Sequence, residues 1–141
     1  MMWIHPLIQS VAMLLAFWVF YMGVTRFMFV HFGVKKFFNW KWHVKLGKIV
    51  HGMWLLGFGL GLFMAWYEWG SIDLTGGHFL VGVLMVPCIL LSLGTGLSLE
   101  KPKTKRPKMA LFHGIINSVL FLMACYQAWT AVEVIELFLL D

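Results

Sequence analysis

Residues 43–61 read HVKLGKIVHGMWLLGFGLG. A lysine-bearing start, two histidines eight residues apart and four glycines past Lys48 share one apolar run. No charged residue occurs from Ile49 to Tyr67. A run that reaches roughly 20 residues can cross a bilayer as a helix. Three further charge-free runs, Pro6–Thr25, Leu74–Leu99 and Met109–Val132, follow the same plan. The chain is 61% hydrophobic and 12% charged, against about 25% charged for an ordinary soluble domain. A transmembrane barrel would need alternating segments of about ten residues, and these runs do not alternate. The expectation is an all-α integral membrane protein, a single domain over 1–141 with helices at about 6–31, 39–69, 76–99 and 108–138.

Charge placement orients the helices. Arg26, Lys35, Lys36, Lys41, Lys45 and Lys48 surround the first connection, and Lys101, Lys103, Lys105, Arg106 and Lys108 fill the third. Glu68 and Asp73 lie near the second connection, and Glu133, Glu136 and Asp141 close the chain. The positive-inside rule then puts both basic connections in the cytoplasm and both termini on the outer, periplasmic side. KPKTKRPK at 101–108 reads as a topology determinant rather than a nucleic-acid patch. Short connections make successive helices antiparallel neighbours, an up-down four-helix bundle. The first run has neither a basic leader nor a small-residue cleavage pattern, so it is expected to stay as helix 1. Asn39 is a natural N-cap for helix 2 and Thr75 a candidate cap for helix 3. Cys88 and Cys125 read as packing residues, and without a CxxCH motif covalent haem attachment is excluded.

Histidines are costly in membrane spans and mark functional candidates. Residues 18 apart lie five turns on, on one face and about 27 Å along the axis. From His5 that step reaches Gly23, from His43 Gly61, from His78 Gly96 and from His113 Ala131, all small. Two haems in one bundle would require this pattern. Two opposite helices grip each macrocycle while the other two pass beside it with small side chains. His5 and His78 would then ligate an outer haem, with Gly61 and Ala131 beside it. His43 and His113 would ligate an inner one, with Gly23 and Gly96 beside it. Gly47, Gly82 and Asn117 stand one turn past His43, His78 and His113. His51 rivals His43. A wheel places His43 opposite the face of Lys41, Lys45 and Lys48, with His51 about 80° round on a flank, whereas depth favours His51. His31, at a helix end beside Lys35, reads as a headgroup contact, although a third haem on His31 and His51 stays open. Zinc fits poorly, because four ligands divided between two membrane sides cannot converge tetrahedrally.

These motifs resemble cytochrome b561. HPLI at 5–8, the histidine-rich start of helix 2, GGHFLVG at 76–82 and LFHGIIN at 111–117 match that family's order. A closer likeness is to a small prokaryotic membrane family related to it, through HVKLG at 43–47, GGHFLVG and HGIINSVLFLMACYQAWT at 113–130. The small family's pattern points to His43 as the helix 2 ligand; the b561 pattern, through KIVHG at 48–52, points to His51. The resemblance implies b-type haem (two, with one or three open), transmembrane electron transfer and a prokaryotic inner membrane. Its electron partners would be a quinone or a redox protein, within a larger membrane complex. A structural assembly subunit and a stand-alone quinol oxidoreductase are the alternatives.

Overall fold

A computed structural model describes residues 3–101 and 106–140. Four helices account for most of them: α1 (Ile4–Phe32), α2 (Trp40–Trp69), α3 (Gly77–Glu100) and α4 (Pro107–Ile135). A π-helical turn, Glu136–Leu140, prolongs α4. Each helix, α4 taken to Phe138, is long and apolar enough to cross a membrane. No strand occurs among the described residues. Lys103 and Lys105, on which the expectation for the third connection partly rests, lie outside them.

Local sequence sets the helix ends. The Asn39 side chain accepts from the Trp42 N–H at 3.2 Å, the expected N-cap of α2. Gly33 and Gly70 end α1 and α2 in the left-handed region, φ 66° and 69°, where glycine carries no Cβ penalty. Pro107 opens α4, where a missing N–H costs nothing. Thr75 does not cap α3. Gly76 occupies the N-cap position without a side-chain bond, and Thr75 contributes only its carbonyl, to the His78 N–H at 3.0 Å.

α1 packs most closely on α2 and α3 on α4, and the two hairpins meet along α1/α4 and α2/α3. The helices thus form a ring in chain order, with α1 opposite α3 and α2 opposite α4. Contacts between helix starts and ends show the antiparallel course: His5 reaches Gly57, His78 reaches Thr130, and Lys48 pairs with Glu100 at 2.7 Å. One end carries the start of α1 and the end of α4, the termini end. The other carries the two basic connections, the basic end.

The buried core is a thin central layer: Ala12, Ala16, Val50, Trp54, Met85, Ile89, Leu120 and Ala124. Large apolar side chains cover the outside, with Leu14, Leu122 and Trp129 at 72%, 68% and 79% exposure. A water-soluble protein rarely exposes apolar area on that scale, whereas lipid favours it. The core residues Ala12 and Ala16 on α1 and Ala124 on α4 are small, and the histidines lie toward the two ends.

Candidate functional site

Two histidine pairs span the diagonals of the bundle. At the termini end, His5 of α1 faces His78 of α3 with ring centroids 6.3 Å apart. At the basic end, His43 of α2 faces His113 of α4 at 6.5 Å. An imidazole nitrogen bonds a transition metal at about 2 Å and stands about 1 Å from its own ring centre, so two imidazoles on opposite sides of one metal have centroids about 6 Å apart. Both separations suit a single metal between each pair. The steep interplanar angles, 83° and 79°, are compatible with this, because turning a ring about the metal–nitrogen axis leaves the bond unchanged. Among the described residues no three His, Cys, Asp or Glu side chains converge. The donor sets are pairs, the number a planar tetradentate macrocycle leaves to the protein.

Hydrogen bonds fix which nitrogen of each ring is free. The His5 Nδ1–H donates to the Gly57 carbonyl at 2.7 Å, since a carbonyl can only accept. His78 Nδ1 lies 2.8 Å from Thr130 Oγ1. That hydroxyl is already turned to the carbonyls of Tyr126 and Gln127, at 3.1 and 3.3 Å, so it accepts from His78. Thr95 treats His113 in the same way. Its hydroxyl faces the Leu91 and Ser92 carbonyls at 2.9 and 3.0 Å and meets His113 Nδ1 at 2.9 Å. In all three rings Nδ1 carries the proton and Nε2 is the nitrogen left to a metal, although at His113 the Asn117 amide nitrogen also lies 3.3 Å from Nδ1 and 3.4 Å from Nε2. A metal-ligating histidine is ordinarily held in this way through its other ring nitrogen. His43 differs: its Nδ1 is buried without a hydrogen bond, and the Val19 carbonyl interacts with the ring but falls short of bonding geometry.

Three of the four small residues selected by the 18-residue step lie against these rings. A Cβ on Gly61 would stand 3.0 Å from His5 Cε1 and Nδ1, one on Gly96 3.3 Å from His113 Cε1, and one on Gly23 3.6 Å from His43 Cε1. Ala131 follows Thr130, the residue that holds His78. The glycines one turn past the histidines face elsewhere: Gly47 looks toward Val19, and Gly82 toward Phe58 and Gln127. Gln127 donates to the His78 carbonyl at 2.8 Å and Asn117 to the His113 carbonyl at 2.7 Å, so both amides tie down backbone beside a pair.

His51, about 80° round from His43, is buried rather than exposed on its flank. It is 6% exposed, turned toward α3 and committed at both nitrogens: Nδ1 to the Gly47 carbonyl at 2.6 Å and Nε2 to Ser92 Oγ at 2.8 Å. His43 is therefore the α2 histidine that faces α4, and His51 has no free nitrogen. His31 is exposed at the end of α1, against Phe27 at 4.4 Å between ring centroids and apart from both pairs. The residues that the sequence reading missed are Gly57, Thr95 and Thr130. A usable signal was present for two of them, since each threonine directly precedes a small residue of the 18-step pattern. A Cβ on Gly57 would overlap the far end of the Gln9 side chain, which would have to move aside.

Comparison with protein-family models, with characterised proteins and with solved structures returns no match.

Proposed function

We propose that this chain is a membrane cytochrome that holds two b-type haems and carries electrons across the bilayer. The observation that supports this most is the pair of diagonal histidine couples, with centroids 6.3 and 6.5 Å apart. His5 and His78 would hold one haem, and His43 and His113 the other; His51 is left out because both its nitrogens are bonded. Haem b supplies a one-electron iron couple when bound. Two histidines on each iron leave no open position for oxygen, which suits electron transfer.

The rest of the site orients these ligands. Gly57, Thr130 and Thr95 accept the Nδ1 protons of His5, His78 and His113, which leaves Nε2 as the donor nitrogen and raises the donor strength of the ring. Gly61, Gly23 and Gly96 leave room beside the rings. By the positive-inside rule the basic end faces the cytoplasm, so His5 and His78 form the outer site and His43 and His113 the inner one. The electron donor and acceptor would be a quinone or a redox protein, and the chain would serve as a subunit of a larger complex in a prokaryotic inner membrane. Its resemblance to the cytochrome b561 pattern supports the same reading. The test is a reduced-minus-oxidised spectrum of the purified protein with a haem-to-protein ratio. A b-type α band supports the proposal, and a haem-free protein from cells supplied with haem overturns it.

A further inference from the structure

One buried polar chain contains none of the four paired histidine rings. It runs across α2, α3 and α4, from the Gly47 carbonyl through His51, Ser92 and Asn117 to the His113 carbonyl. Its two core members, His51 and Ser92, are 6% and 1% exposed. Polar groups buried this deeply need complete hydrogen bonding.

The protons can be counted from the two ends. Both ends are backbone carbonyls, which only accept. His51 Nδ1 lies 2.6 Å from the Gly47 carbonyl, so Nδ1 carries a proton. Asn117 lies 2.7 Å from the His113 carbonyl, so its amide nitrogen points there and Oδ1 points to Ser92. Ser92 Oγ is 2.8 Å from that Oδ1 and 2.8 Å from His51 Nε2, and it has one hydroxyl proton to give. While His51 is neutral, that proton serves one of the two links and the other has none. Only the doubly protonated ring completes all four links.

We propose that His51 is a proton-binding site coupled to the inner iron site, gaining one proton when that site gains one electron and losing it when the electron leaves. The inference rests on the cytochrome reading above. The electron comes from a one-electron donor, here the outer site, and the proton from water at the basic end. One N–H bond forms at Nε2 and the two charges cancel. A cation alone in an apolar interior is strongly penalised, so the vacancy fills only when a compensating negative charge arrives nearby. Titratable or charged groups toward the basic end of the surrounding helices are Lys41, His43, Lys45 and Lys48 on α2, Cys88 and Glu100 on α3, Lys108 and His113 on α4, and Tyr21, Arg26 and His31 on α1. Of these, His43 and His113 interact with His51 electrostatically, while Glu100 is paired with Lys48. No carboxylate bonds to His51 among the described residues, so its proton has no resident counter-charge.

The test is a potentiometric titration of the inner haem at several pH values, in His5→Ala protein so that the outer haem does not contribute. The inner potential is expected to fall by about 59 mV per pH unit over a window of pH, the one-electron equivalent of a tenfold change in proton activity. His51→Gln, which keeps hydrogen-bonding groups but cannot take up the proton, should hold its haem and give a flat profile. Ser92→Ala, which removes the acceptor of the Nε2 proton, should narrow the sloping window. Redox difference infrared spectra with isotope-labelled histidine should show imidazolium bands on reduction that His51→Gln abolishes. A flat profile in the His5→Ala protein, or an unchanged slope after His51→Gln, overturns the proton site and leaves the cytochrome reading standing. A protein without haem overturns both.

Discussion

Adding a methyl group at each of five glycines should give a graded series. In Gly61→Ala the new Cβ would sit 3.0 Å from His5 Cε1 and Nδ1 and 3.6 Å from Cγ. The ring cannot slide away freely, because Nδ1 is held by Gly57 at 2.7 Å. Overpacking of this kind costs typically 1–3 kcal/mol, about 5- to 150-fold in occupancy of the outer site. Replacing glycine by alanine inside a helix gains about 1 kcal/mol of helix propensity, so backbone preference pulls the other way. Gly59 and Gly94 show that gain alone, because nothing lies within 4 Å of a Cβ at either. At Gly96 the contact would be 3.3 Å to His113 and at Gly23 3.6 Å to His43, the latter an ordinary van der Waals distance. The expected order of haem loss is therefore Gly61→Ala first, Gly96→Ala next, and Gly23→Ala close to the unsubstituted protein. Gly59→Ala and Gly94→Ala should be fully loaded and no less resistant to thermal unfolding in detergent. The assay is haem-to-protein ratio with reduced spectra, run beside a melting curve. Equal haem content in Gly61→Ala and Gly59→Ala would refute the placement of Gly61 against a ligand.

Two further outcomes separate the sites and the histidines. Thr130→Val removes the acceptor of the His78 Nδ1 proton and Thr95→Val that of His113. Each should weaken haem retention at its own site by roughly 10- to 100-fold and spare the other, read by haem titration of the stripped protein. His43→Ala should remove one haem equivalent and His51→Ala none, so a haem-to-protein ratio that drops in His51→Ala and not in His43→Ala would reverse the assignment of α2.

Much of the fold follows from one-dimensional signals. Charge-free length marks all four helices, and Asn39 announces the start of α2 because a cap acts within its own turn. The proximity of His5 to Gly61 and of His113 to Gly96 was legible too. In an antiparallel bundle, the small residue five turns along one helix comes level with the histidine that starts another. The partners of the rings were harder to see. Whether Thr95 reaches His113 depends on rotation and axial offset between two helices, and no single-helix periodicity encodes that. The burial of His51 was hidden for a related reason. A wheel assumes one buried face opposite the lysines, but each helix in a ring of four touches two neighbours and looks across to a third. The buried arc of α2 is consequently wide enough for His43 to face α4 and His51 to face α3. Thr75 had the right side chain for a cap, but Gly76, with φ 50°, makes the turn one residue later.

Two iron centres, one on each diagonal of the bundle, would fix the haem stoichiometry. Pyridine haemochrome analysis of the purified chain, expressed with adequate haem, measures this most directly. Two b-type haems per chain are expected, falling to one in His5→Ala or His78→Ala and to one in His43→Ala or His113→Ala. A protein with no haem, or one whose haem content is indifferent to all four substitutions, would contradict that expectation.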